Sequence, residues 1–261
     1  MRLDKYILEK GYAPTRSRAQ DLIQQGCVSI QDKIVTKASY DVKENDEVIV
    51  TLPEESFASR AGFKLFDVLE AFQINLNNRI VIDVGASTGG FSDVCLKQGA
   101  KLVYAVDVGS DQLLERLKND PRIVNMEHTN CRYLEPSMFK EAIDFACMDV
   151  SFISAKLILP ALFQTMKQVE AVILIKPQFE VGKQALNKHG VVKDKKEHVK
   201  VLRDMVSFVE QQGYYVKHLQ PSSIVGRDGN HEYVMHVVEQ ECHQVFAYEK
   251  IVNEANSYVR R

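Results

Sequence analysis

The spacing of apolar positions changes style about a fifth of the way along the chain. Leu3, Ile7 and Leu8 recur at helical spacing, and a turn signal follows at Gly11 to Pro14. TRSRAQDLIQQG then predicts a second short helix, with Thr15 as its cap, Ala19, Leu22 and Ile23 facing a core, and Gly26 ending it. CVSIQDKIVT predicts two short strands around a polar turn at Gln31 to Lys33, and Val48 to Leu52 a closing strand. The acidic DVKENDE between them is a solvated loop. A first domain over 1–52 and a linker over 53–59, carrying a proline and small polar residues, are expected.

From Arg60 onward, apolar runs alternate with amphipathic segments. The runs are RIVIDVG (79–85), LVYAVDVG (102–109), FACMDVS (145–151), AVILIKP (171–177), YYVKHLQP (214–221) and HEYVMHVVE (231–239). Between them, FSDVCLKQG and EHVKVLRDMVSFVEQQG carry helical periodicity. Such alternation predicts an α/β domain over 60–261: a mostly parallel, Rossmann-like sheet covered by helices on both faces. Ligands then belong at the carboxyl ends of its strands.

Composition narrows the classes. The 261 residues suffice for one large and one small domain, and 45% hydrophobic with 26% charged residues is ordinary for a globular chain. The net charge of −2 means that any basic footprint for nucleic acid must be local. No apolar run reaches the roughly 18 residues of a membrane span, and MRLDKYILEKG lacks the apolar core of a signal peptide. Cys27, Cys95, Cys131, Cys147 and Cys242 form no C-x-x-C pair, which fits free thiols in a reducing cytoplasm. The histidines lack metal-site spacing, so no metal is expected.

The stretch VIDVGASTGGFSD (81–93) carries the first chemistry. It reads as strand, glycine turn and helix start, a place where backbone can approach a ligand. A dinucleotide site prefers G-x-G-x-x-G, because the pyrophosphate must reach the helix N-terminus. Here Gly85, Gly89 and Gly90 are spaced G-x-x-x-G-G, with Ser87 where the middle glycine would stand. Asp83 precedes the turn, and Asp107 closes the second strand about 20 residues on, where an acid accepts ribose hydroxyls. S-adenosylmethionine, which has no phosphates, fits this pattern better than a dinucleotide. The plainer reading is a tight turn that only packs a helix on a strand.

Four further residues stand at separate element ends: Lys64, Asp149, Lys176 and Glu232. Asp149 and Lys176 end apolar strands, where a charge is costly unless it faces a site. Singly, each could be a surface residue or half of a structural ion pair. Past Lys176, the lysines Lys183, Lys188, Lys193, Lys195 and Lys196 gather around Gly182 and Gly190, the pattern of a mobile basic loop or simply of a wet one.

The motifs resemble known families. L-D-K-Y, T-R-S-R-A and G-C-V-S-I resemble the alpha-L RNA-binding motif, in which Lys5, Arg16 and Arg18 match the positions that grip structured RNA. D-V-G-A-S-T-G-G-F resembles the first motif of class I methyltransferases, particularly the FtsJ-like ribose methyltransferases. That places Asp83, Gly85, Ser87, Thr88, Gly89, Gly90, Phe91 and Asp107 around S-adenosylmethionine. Lys64, Asp149, Lys176 and Glu232 match that family's catalytic tetrad in order. A ribose 2′-hydroxyl is a weak acid, and a lysine amine can take its proton once burial and a neighbouring cation disfavour its charge. Lys176 is expected in that role, with Lys183, Lys188 and Lys193 on RNA phosphates.

Taken together, S-R-A-G-F-K-L, M-D-V-S-F-I-S, I-K-P-Q-F-E-V-G and G-N-H-E-Y resemble the TlyA family, also called hemolysin A, over residues 1 to about 238. One departure is Ala61, where the family usually has glycine. The resemblance implies a methyltransferase acting on cytidine ribose in ribosomal RNA or ribosomal subunits, and a cytoplasmic monomer is expected. The start at Met1-Arg2-Leu3-Asp4 points to the large subunit alone. Two rivals remain at this point: an RNA-binding assembly factor without turnover, and a pore-former.

Overall fold

The computed structural model describes residues 1–13, 16–24, 26–43, 45–51, 57–226 and 229–255, without the side chains of Ser17 and Arg18. Pro14, the Thr15 cap, Leu52 and positions 53–56 of the expected linker lie outside the described residues. The chain divides into two compact units, Met1–Arg60 and Ala61–Arg260.

The first unit packs two helices on a small sheet. Helices α1 (Leu3–Glu9) and α2 (Arg16–Gln24) precede β1 (Val28–Ile30), β2 (Lys33–Ile34) and β3 (Val48–Val50), ordered β2-β1-β3 with antiparallel pairing. Leu3, Ile7, Ala19, Leu22, Ile23, Val28 and Ile30 form its core. Gln31 and Asp32 both take positive φ between the paired Ile30 and Lys33, the two-residue turn whose twist suits a hairpin.

The second unit is a seven-stranded sheet with helices. Helix α3 (Ala61–Ala71) leads to β4 (Ile80–Val84), α4 (Gly90–Lys97), β5 (Leu102–Val106), α5 (Glu115–Lys118), β6 (Ile123–Met126) and β7 (Phe145–Met148). Then come α6 (Leu159–Gln164), β8 (Glu170–Ile175), α7 (Pro177–Glu180), α8 (Lys195–Gln211), β9 (Tyr215–Pro221), β10 (Tyr233–Val238) and α9 (Tyr248–Ala255). All five β4 residues are buried, as a central strand covered on both faces must be. Helix α8 forms because Asp194 caps it, accepting from Lys196 N at 2.9 Å, and because Val201, Leu202, Met205, Val206 and Val209 recur on one buried face.

The sheet order is β6-β5-β4-β7-β8-β10-β9. Strands β4 to β8 pair in parallel, whereas β10 runs antiparallel to both neighbours. The sheet is therefore mixed, and β6 adds an edge strand beyond the six expected runs. Strand β10 can run antiparallel because no helix separates it from β9, and a parallel neighbour would need a crossover.

This order positions the site. The chain moves outward from β4 to β5 and β6, then returns to β7 on the other side, so a crevice opens at the carboxyl ends of β4 and β7. Since β10 opposes β8, with Tyr233 paired to Ile175, Glu232 lies beside the end of β8 where Lys176 follows.

Candidate active site

The glycine turn sits at the crevice. Gly85 has φ +83°, and a Cβ there would lie 2.7 Å from the Asp149 carbonyl oxygen, so only glycine lets β4 turn against the end of β7. Gly89 has φ +91°, and a Cβ would come within 2.3 Å of Leu117. Asp107 organises the turn, its carboxylate accepting from Ser87 N and from Gly109 N, each at 2.8 Å. Each of its oxygens keeps a second lone pair for a ligand hydroxyl. Ser87 is exposed and Thr88 half-buried, whereas Phe91 is buried on α4.

Asp83 is enclosed. Its Oδ2 accepts from Ser92 Oγ at 2.6 Å, and its buried Oδ1 receives no N–H or O–H. Burial pushes this carboxyl up to about 7, against the Ser92 hydrogen bonds and with help from Asp149 and Asp107. A buried oxygen without a donor, a turn that admits no side chain and an acid at the end of the second strand together fit S-adenosylmethionine. Its sulfonium and ammonium would supply positive charge, and its ribose the hydroxyls.

The four charged residues, distant in sequence, meet in one chain of contacts. Lys64 Nζ donates to Glu232 Oε2 at 2.6 Å and lies 3.8 Å from Asp149 Oδ2. Lys176 Nζ lies 2.5 Å from Asp149 Oδ1 and donates to Ser151 Oγ at 2.9 Å. The spatial order is thus Glu232, Lys64, Asp149, Lys176, alternating in sign. Lys64 reaches it because it shares the buried face of α3 with Leu65 and Val68. All four side chains are largely buried, at 4–13% exposure, a costly arrangement that opposite charges offset. Burial works against the charge of Asp149, but Lys64 and then Lys176 outweigh it and hold the carboxyl below its usual range.

Three participants escape a reading of charges and motifs. Ser92 ties Asp83 to α4, Ser151 meets Lys176, and Gly226 leaves room for Glu232, since a Cβ there would fall 2.6 Å from its Oε1. Ser92 stands two residues after Gly90, and that proximity to the turn was the only available signal.

Of the cations expected on RNA, Lys5 and Arg16 lie in the first unit and Lys183, Lys188 and Lys193 in the second, all exposed except for partners on their own unit. Lys5 lies 3.5 Å from Glu9, and Arg16 Nε donates to buried Asp4 at 3.0 Å. The Arg18 side chain lies outside the described residues. The segment after Lys176 holds α7, a 3-10 turn at Lys183–Ala185 and a bridge between Leu186 and Val192.

Comparison with known proteins assigns the pattern. The FtsJ-like methyltransferase family matches residues 57–238 and the S4 domain residues 1–48. TlyA of Mycobacterium tuberculosis, named a 16S/23S rRNA (cytidine-2′-O)-methyltransferase, is 37% identical over 236 residues, 90% of this chain and 88% of that protein. The chain belongs to the TlyA/hemolysin A family. Another relative, Bacillus subtilis YqxC, provisionally named an rRNA methyltransferase, is 41% identical over 238 residues, 90% of this chain and 85% of that one. A solved Streptococcus thermophilus structure, provisionally named a hemolysin, is 37% identical with a TM-score of 0.78, covering 99% of this chain and 96% of that one. Members of this family join an S4 domain to an S-adenosylmethionine-dependent methyltransferase of class I fold, and this chain has both. No helix among the described residues is long and apolar enough to cross a membrane.

Proposed function

We propose that this TlyA-family enzyme methylates the ribose 2′-hydroxyl of a cytidine in large-subunit ribosomal RNA, acting as a cytoplasmic monomer. The M. tuberculosis relative carries that reaction in its name, with 16S as well as 23S rRNA. The observation that carries the reading is the alternating chain Glu232–Lys64–Asp149–Lys176 at the crevice. When bound, S-adenosylmethionine supplies a methyl group on a positively charged sulfur, which keeps the bonding electron pair as the ribose oxygen takes the methyl carbon.

The chain's own residues do the rest. Gly85, Gly89 and Gly90 would admit the cofactor, Asp107 would hold its ribose, and Asp83 would face its positive end; Ser87, Thr88 and Phe91 complete that wall. Lys64 lies between two carboxylates, which favour its charge. Lys176 has one carboxylate and a hydroxyl, and it is the amine assigned to take the ribose proton. Asp149 and Glu232 orient the two lysines. Lys5, Arg16 and Arg18 in the S4 domain, with Lys183, Lys188 and Lys193 beside the site, contact RNA phosphates.

Labelled methyl transfer to small and large ribosomal subunits from unmethylated cells, followed by ribose mapping, tests the reading. Incorporation at a cytidine of the large subunit is expected, with Lys176→Ala inactive. Failure to label either subunit or its free RNA, or a Lys176→Ala protein at full rate, would overturn it.

A further inference from the structure

The lysine proposed as base has two partners, and one of them carries no charge. Ser151 lies in the segment leaving β7, two residues beyond Asp149, and its Oγ accepts from Lys176 Nζ at 2.9 Å. Asp149 Oδ1 lies 2.5 Å from the same nitrogen. A tetrahedral amine has three directions besides its bond to carbon. Asp149 Oδ1 faces the nitrogen as an ion pair without hydrogen-bond geometry, whereas the Ser151 contact has it, so the serine is the partner that fixes a direction of the amine and aims the rest toward the ribose. Removing the serine frees the amine and the Cδ–Cε torsion that carries it, because the ion pair with the carboxylate fixes no direction.

A second link braces this one. Glu180 on α7 accepts from Ser154 Oγ at 2.6 Å and from Ala155 N at 2.7 Å. Glu180 is four residues beyond Lys176, and Ala155 four beyond Ser151, so the segments carrying the two partners are clamped one turn further along. Ser151 itself is exposed, so this clamp, and not burial, keeps its segment beside Lys176.

We infer that Ser151 is a positioning residue, aiming the Lys176 amine at the ribose hydroxyl. The inference rests on the reading of Lys176 as the base. It predicts a rate defect without a binding defect. Ser151→Ala should lower kcat by about tenfold to a hundredfold, the scale of a misaimed group, with KM for S-adenosylmethionine and for RNA unchanged. Ser151→Thr, which keeps the hydroxyl, should restore most of the rate. Carbon-13 NMR of labelled Lys176 gives a readout without turnover. Its two Cε hydrogens should resonate apart in the wild type and in Ser151→Thr, and draw together in Ser151→Ala.

The outcomes separate the two readings. Wild-type kcat in Ser151→Ala, beside an inactive Lys176→Ala, overturns the role of Ser151 and leaves the base standing. A raised KM with unchanged kcat makes Ser151 a binding residue and also overturns the inference. Merged Cε resonances in the wild type overturn it without any assay of activity. An active Lys176→Ala removes the base itself, and the inference falls with it.

Discussion

Lys64 supports two carboxylates at once, so its loss has a calculable direction. Lys64→Met would leave Glu232 and Asp149 buried near one another without the cation between them. Breaking a buried pair from one side costs about 3–5 kcal/mol, because the stranded charge keeps its desolvation penalty. Chemical denaturation should read a loss on that order, and adding Glu232→Gln should recover part of it. Asp83 gives a second test, through pH. Its carboxyl sits at about 7, so it is mostly protonated at pH 6 and mostly ionised at pH 8. A cation beside it favours the ionised form, so affinity for S-adenosylmethionine should rise as pH rises through 7. Calorimetric titration should find that rise in the wild type and not in Asp83→Asn. Asp83 stood out in the sequence because a charge inside an apolar run demands a reason, and Lys64 because it matches the family's tetrad. Ser151 did not, since a serine after a strand is ordinary until its partner is seen.

At the scale of elements, the strands were legible where both faces are buried. Strand β4 and its neighbour β5 read as continuous apolar runs, and so did β8. Strand β6 lies at the sheet edge, and Val124 and Asn125 are exposed, so Ile123–Met126 offers neither a run nor an alternation. The direction of β10 was likewise hidden, because apolar content sets burial and not polarity. That antiparallel strand brings its own sensitivity. His236 on β10 stacks against His218 on β9 at 5.5 Å between ring centres, and Phe72 stacks against both. Burial first, then His236 and Lys217, push the His218 imidazole down from its ordinary value. On the far side of His236, Glu170 accepts its Nε2 hydrogen bond at 3.3 Å and also pairs with Arg79. A histidine with a depressed folded value binds fewer protons folded than unfolded, so its contribution is intact above the unfolded value of about 6.5 and is lost below it. Burial likewise lowers His198 and His231, which act in the same direction. Raised Asp83 acts oppositely below 7, so the difference between proteins is the cleaner reading. Between pH 7.5 and 5.5 the thermal midpoint of His218→Gln should fall less than that of the wild type.

For the molecule as a whole, a net charge of −2 leaves RNA binding to local cations, and both units carry them. In the S4 domain the cations are fixed from beneath. Asp4 is fully buried, and its carboxylate accepts from Arg2 Nε and Nη2 at 3.0 Å, from Arg16 Nε at 3.0 Å and from Gln20 at 2.8 Å. The Arg2 hydrogen bonds, then Gln20 and Arg16, overcome burial and hold that carboxyl well below the usual range. Arg2 and Arg16 remain about half exposed, two guanidiniums held by one anion with donors to spare. Each phosphate they neutralise releases counterions, so each lost contact should reduce the slope of log affinity against log salt by about 1. Arg16→Gln should therefore weaken binding to ribosomal RNA and flatten its salt dependence, without changing S-adenosylmethionine affinity or the single-turnover rate at saturating RNA. Lys188→Gln should do the same from the other unit. Because the two units are joined in one chain, either one bound to RNA raises the effective concentration of the other. An RNA fragment short enough to occupy only the methyltransferase unit should then lose its sensitivity to Arg16→Gln while keeping its sensitivity to Lys188→Gln. Equal sensitivity of short and long RNAs to Arg16→Gln would mean that the S4 cations do not bind RNA separately from the site.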